Sequence, residues 1–362
     1  MTAQSCVGHL AWAAAVALLT AFAPHDASAA IKHTPLLDQL IKAAAAEGEL
    51  NVMWGGSSLG EGEGVHELEQ AINREFNINI KVNYTPGPSM PQLATRIIRE
   101  VQAGQKASTD LFLGIEVSLP AMIAGQVIEP VKWSDYYTEI TPEMTTKGGE
   151  ALLEFTLFNG MSYNVQLIAD KDAPHTLAEV FRPEWKGKLS STPYAAGFDR
   201  LALAYGDDKI RPIVKRMAEW AGGLLRCGEY ERLATGEFIG LVLDCGQVQP
   251  RFLVENGGPV RLVPLDDALA TTLSYFAVPK TSGHPNLAKL FAGFIATGDG
   301  QKLIEKYGST SYLVPGTPAY KMAEGFKTRG LKLLIYTPDL IAPRLEEAAK
   351  YKAEYEQILQ GK

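Results

Sequence analysis

Residues 36–58 read LLDQLIKAAAAEGELNVMWGGSS, and this stretch decides the fold class. Apolar residues at 36, 37, 40, 41 and 44 recur at helical spacing, and Gly48 is a natural helix terminator. Residues 50–54 then have the composition of a strand. A glycine-rich turn follows through Gly55, Gly56, Ser57, Ser58, Leu59 and Gly60, prolonged by Glu61-Gly62-Glu63-Gly64. The same rhythm continues downstream. Residues 65–76 carry a helical stripe, 78–84 alternate as a strand, and Pro86-Gly87-Pro88-Ser89 is a turn. Residues 91–103 are helical up to Gly104, and 110–113 form a short apolar strand. Alternating helix and strand predicts an α/β protein with a mostly parallel sheet and right-handed crossovers. Ligands of such sheets sit beyond the carboxyl ends of the strands. The turns at 55–60, 86–89 and 114–118 are therefore candidate site loops.

A second α/β unit begins near residues 155–164. Trp185-Lys186-Gly187-Lys188-Leu189 leads to Ser190-Ser191-Thr192, read as a strand end followed by a helix cap. Residues 236–243 form an apolar strand ending in Asp244-Cys245-Gly246-Gln247. Further strands are expected at 260–263 and 275–278, and helices at 212–220 and 286–296. Thr337-Pro338 is an N-cap with a first-turn proline. It opens one long terminal helix with Leu340, Ile341, Leu345, Ala348, Tyr355 and Ile358 on its apolar stripe.

The chain has 362 residues, 46% hydrophobic and 21% charged, enough to bury a sizeable core in roughly two domains. With 34 basic and 41 acidic residues the net charge is -7, a poor match to nucleic acid or anionic membrane. Residues 10–19, LAWAAAVALL, are too short to span a membrane but suit the core of a signal peptide. Ala27-Ser28-Ala29 is an A-x-A cleavage signature, so residues 1–29 read as a cleaved export signal and the mature chain as periplasmic. Cleavage removes Cys6 and leaves Cys227 and Cys245, as a disulfide or as two buried thiols.

Ala44-Ala45-Ala46-Glu47-Gly48-Glu49-Leu50, Thr95-Arg96-Ile97 through Glu100, Gly104 and Asp110, Tyr163-Asn164, Pro183-Glu184-Trp185-Lys186-Gly187-Lys188, and Gly283-His284-Pro285-Asn286 with Lys289-Leu290-Phe291 and Gln301 follow one another in order. Together they resemble the periplasmic solute-binding proteins of ABC importers, in particular the iron, thiamine and phosphosugar group of the family 1 extracellular solute-binding proteins. The resemblance implies a type II periplasmic-binding-protein fold: two α/β lobes joined by two crossovers, a hinge and a central ligand cleft. Lobe 1 would be 31–145 plus 272–320, and lobe 2 would be 146–271 plus 321–362. It also implies a monomer that closes on a small-molecule solute and delivers it to a membrane ABC permease, with no cofactor and no enzymatic step.

Ferric-binding members of the family hold iron with two adjacent tyrosines after the matching second-lobe strand. Here that strand runs into Asp244-Cys245-Gly246-Gln247. The family's acid after the third strand is matched by Glu116. Hydroxyls and free N–H groups at strand ends suit an oxyanion. The candidate ligand residues are Gly56, Ser57, Ser58, Ser89, Glu116, Ser191, Thr192, Tyr194, Asp244, Gln247 and Tyr275, with Arg200 and Arg226 as further cationic candidates. Any of the serines would equally serve as a helix cap. The expected solute is an organic phosphate or other small organic anion. Glu61, Glu63 and Asp244 point instead to a cation such as thiamine or a polyamine, and a ferric complex is a third alternative. Gly56-Ser57-Ser58-Leu59-Gly60 also matches G-x-S-x-G, so the competing class is a secreted serine hydrolase using Ser58.

Overall fold

The computed structural model describes residues 31–361 apart from 56, 57, 196 and 309; the export signal expected at 1–29 lies outside them. The first helix, Pro35–Glu47, starts where Thr34 accepts the Leu37 N–H at 3.0 Å. It stops where Gly48, at φ 73°, donates to the Ala44 carbonyl. Leu37, Leu40, Ile41 and Ala44 form its buried stripe.

Ten strands follow among the described residues: β1 (Glu49–Trp54), β2 (Lys81–Pro86), β3 (Phe112–Ile115), β4 (Leu152–Phe158), β5 (Met161–Asn164), β6 (Leu189–Ser191), β7 (Ala221–Leu224), β8 (Gly240–Val242), β9 (Val260–Val263) and β10 (Thr271–Ala277). β1 and β2 pair in parallel. β10 lies between β3 and β4, antiparallel to both. The second lobe holds a five-stranded sheet in the order β7-β6-β8-β5-β9. There β6 runs parallel to β7 and β8, whereas β5 opposes β8 and β9. The sheets are thus not mostly parallel: β1-β2 is parallel, β3-β10-β4 antiparallel and the five-stranded sheet mixed. β4, β5 and β10 carry the chain between lobes, and a strand arriving from the other lobe need not obey the crossover geometry of consecutive parallel strands.

Two hydrophobic cores result. One draws on residues 31–153 and 273–314, with Trp54 packed 5.8 Å from Phe276 and 6.0 Å from Phe291 between ring centroids. The other draws on 161–270 and 334–359. The chain passes between them three times rather than twice, and Phe158, Leu269, Ala319 and Phe326 cluster at the passage.

Two local expectations change. Glu61-Gly62-Glu63-Gly64 is not a turn but the start of the helix Glu61–Phe76, with its acids in the first turn where the helix dipole favours them. The long terminal helix is broken into Pro338–Ile341, a 3₁₀ turn at Ala342–Arg344, and Leu345–Leu359. Pro343 has no N–H to continue the ladder and its ring would clash with the preceding turn. Leu340, placed on the apolar stripe, is instead 58% exposed.

Candidate ligand cleft

Between the lobes lies a cavity of about 510 Å³. From the first lobe, β3 ends at Ile115 and turns through Glu116–Ser118 into the helix Leu119–Ala124, which lays Ile115, Val117 and Ser118 along the wall. Leu157 and Asn159, at the end of the crossover strand, form its back. From the second lobe come Tyr194 after β6, Asp199 and Arg200 at the start of the helix Phe198–Tyr205, and Cys227 and Cys245. Apolar side chains make most of the surface.

Backbone strain gathers here. Ala195 and Leu243 are buried at φ 52° and 51°, a left-handed geometry that costs an L-residue about 1–2 kcal/mol. Each stands next to, or two residues from, a cavity-lining side chain, Tyr194 or Cys245. Such strain persists only where the surroundings hold it. One constraint is the Cys227–Cys245 disulfide, Cα–Cα 5.8 Å, which ties the turn after β7 to the end of β8.

The polar centre is a charge cluster reaching from one lobe to the other. Arg200 Nε donates to Glu116 Oε1 at 3.1 Å, and Nη2 donates to the same oxygen. Glu116 Oε2 accepts the Leu273 N–H at 3.0 Å. Arg200 Nη1 also lies 3.6 Å from Asp199 Oδ1. Burial alone would lower the pKa of this guanidinium, but Glu116 and Asp199 outweigh it and the net shift is upward. Among the described residues three acceptors on the cavity wall complete no hydrogen bond: Asp199 Oδ1, which has only its ion pair with Arg200, Asn159 Oδ1 and Ser118 Oγ. The Asn159 amide has a fixed orientation, because its Nδ2 donates to the Asp244 carbonyl at 2.6 Å.

Of the described residues expected to touch ligand, Tyr194 and Arg200 line this cavity. Gly56 and Ser57 lie outside the described residues. Ser58 is half-buried in a 3₁₀ turn away from the cavity, its N–H bonded to the Gly55 carbonyl. Ser89 is exposed and caps the helix Met90–Gln102 in a capping box with Gln92. Glu116 is fully buried and committed to Arg200 and Leu273. Ser191 and Thr192 are buried at the end of β6, and the next helix starts only at Phe198 with Gly197 as its cap. Neither is a helix cap presented to ligand.

Asp244 is also enclosed, accepting from Ser162, Tyr230 and the Cys245 N–H. Burial nevertheless pushes its pKa up to about 6 against those three bonds. Gln247 clamps the hinge: Oε1 accepts the Phe158 N–H at 2.8 Å and Nε2 donates to the Thr156 carbonyl at 3.0 Å. Tyr275 is a core residue of β10, 2% exposed. Arg226 is exposed, outside the cavity. Among the described residues no cluster of three or more His, Cys, Asp or Glu is arranged to hold a metal ion.

Sequence reading missed Asn159 and Asp199, while Ser118 lies in the 114–118 turn it named without singling out that residue. A signal existed for one of them: FDRLALAY, residues 198–205, is apolar except for adjacent Asp199 and Arg200, which such a helix can bury only as a pair.

A second cavity, about 460 Å³, lies among the turns between Pro130 and Gly149.

Residues 67–330 match the model of the family described as bacterial extracellular solute-binding protein. A curated relative, the major ferric iron-binding protein of Neisseria meningitidis serogroup B, is 24% identical over 268 residues, 67% of this chain and 75% of that protein. Iron-bound HitA from Pseudomonas aeruginosa superposes with a TM-score of 0.67 at 18% identity, covering 85% of this chain and 99% of that one. A periplasmic thiamin binding protein does so with a TM-score of 0.65 at 16% identity, covering 86% and 96%. These solved structures share the two-lobed type II periplasmic-binding fold. With its family model matched across most of its length, the chain belongs to the bacterial extracellular solute-binding proteins.

Proposed function

We propose that this chain captures a small organic solute between its lobes outside the cytoplasm and hands it to the membrane permease of an ABC importer. The lobes would be 31–145 plus 272–320 and 146–271 plus 321–362, with 1–29 removed on export. Ligand contacts drawn from both lobes exist together only when the cleft is shut, so bound solute favours the closed state.

The solute we favour carries an ammonium or other N–H donor group on an apolar body. One observation carries this choice: Arg200 is already paired with Glu116 and Asp199, while Asn159 Oδ1 completes no hydrogen bond on the cavity wall and Asp199 Oδ1, 3.6 Å from the guanidinium, has an ion-pair partner but no hydrogen bond among the described residues. A buried acceptor left unmatched costs about 1–3 kcal/mol, and a donor from the ligand removes that cost. An organic phosphate, the anion expected from the serines, would find Arg200 occupied and carboxylates beside it. Thiamine and polyamines fit the acceptor-rich wall.

A thermal-shift screen tests this. Thiamine, spermidine and simple alkyl amines should raise Tm, and Asp199→Asn should cancel the shift. At a hundredfold excess over Kd the stabilisation is about 2.7 kcal/mol. Stabilisation by sugar phosphates or ferric salts alone would overturn the choice of solute and leave the binding role standing.

A further inference from the structure

Residues beyond 330 lie past the stretch matched by the family model. In this chain they are a built part of the cleft. Leu334 bridges Ala270, and two helices follow, Pro338–Ile341 and Leu345–Leu359. The terminal helix is fastened to the second lobe. Arg344 Nη1 donates to the Leu203 carbonyl at 2.7 Å, and the Tyr355 hydroxyl donates to Asp207 at 2.6 Å. Arg211 pairs with Glu354 and stacks 5.6 Å over the Tyr355 ring.

The same segment also touches the first lobe. Val117 packs against the cluster of Leu203, Ile341 and Ala348. At the crossover just past the proposed boundary, Asp339 Oδ2 accepts the Lys147 N–H at 3.1 Å. Leu345, Ala348, Ala349 and Lys352 all line the interlobe cavity.

We propose that the terminal helix sets which solutes the cleft admits: the small side chain of Ala349 leaves room for the ligand's apolar body, and Lys352 biases entry by charge. This rests on the interlobe cavity being the solute site. Both residues are exposed and sit on the cavity wall, so ligand can meet them without unpacking the core. A bulky side chain at 349 would occupy the space in front of it. A charge at 352 acts on approach more than on final packing, so it changes association rate and salt dependence.

The test uses the mature chain with alkyl diamines and alkyl phosphates of increasing chain length, read by calorimetry and stopped-flow. Ala349→Phe should weaken whichever series binds the wild type by at least about tenfold, most for the longest members. Lys352→Glu should speed diamine association several-fold at low salt and slow that of the phosphates. Wild-type affinities in an Ala349→Phe protein of unchanged Tm would overturn the proposal. Should Ala349→Phe not fold, Lys352→Glu decides alone: unaltered association rates and salt dependence would overturn it. Binding of phosphates only would refute the organic-cation reading, while loss of their binding in Ala349→Phe would still support the helix as gatekeeper. Failure of every probe to bind the wild type would overturn both.

Discussion

Glu154 is fully buried in β4, at the bulge where the register with β10 shifts between Ser274 and Tyr275. Neither carboxylate oxygen completes a well-formed hydrogen bond among the described residues, and the nearby Ser274 hydroxyl offsets only part of the cost of burial. Burial therefore drives its pKa well above the usual carboxylate range. The folded state then holds a proton that the unfolded chain releases. The group's contribution to stability is complete below the unfolded pKa near 4.5 and is lost as pH rises through the folded value. Glu154→Gln removes that loss, so it should raise Tm by a few degrees at neutral pH and by progressively less toward pH 4. Tm curves of the two proteins that run parallel across this range would contradict the account. Asp244 behaves alike on a smaller scale: between the ordinary aspartate value and about 6, its share of stability falls as pH rises. The fates of Gln247 and Tyr275 show where residue-level reading stops. Their chemistry suits a ligand, but a hinge clamp with Thr156 and Phe158 and a place in the core depend on contacts distant in sequence, which composition and spacing do not encode.

Element boundaries set by local chemistry were legible. Gly48 ends the first helix, and Thr337 with Pro338 opens the penultimate one. Pro343 was equally visible, but the apolar stripe on both sides masked its effect, and the helix breaks there. The antiparallel pairings were not legible, because strand direction follows from which lobe a strand comes from. The disulfide depends likewise on side-chain geometry that two cysteines in a sequence leave open. It closes a span of 18 residues and should contribute about 3 kcal/mol by restricting the unfolded chain. Dithiothreitol, or Cys227→Ser with Cys245→Ser, should lower the denaturant midpoint accordingly. An unchanged midpoint would mean that the turn around Arg226 and Glu229 holds itself.

For the molecule as a whole, the buried Glu116–Arg200 pair is a contact between lobes as much as a contribution to packing. Removing one partner of a buried pair costs about 3–5 kcal/mol when the other charge stays buried. In a hinged protein that strain has an outlet, since opening the cleft returns Glu116 to water. Arg200→Met should therefore enlarge the radius of gyration in solution without solute, and Glu116→Gln in the same chain should reverse much of the change. Scattering curves identical to the wild type would show that the pair does not govern closure. The two-lobed plan was readable because the alternation of helices and strands occurs twice and the family-like stretches fall in order; the charge cluster in the cleft was not, because its partners come from different lobes. One topological detail bears on biosynthesis. β3 and β4 do not touch each other and are joined only through β10. A chain still being made has no middle for this sheet until residues 271–277 have emerged. The first lobe is thus the first to begin emerging, yet its sheet β3-β10-β4 cannot be completed until most of the second lobe has been made.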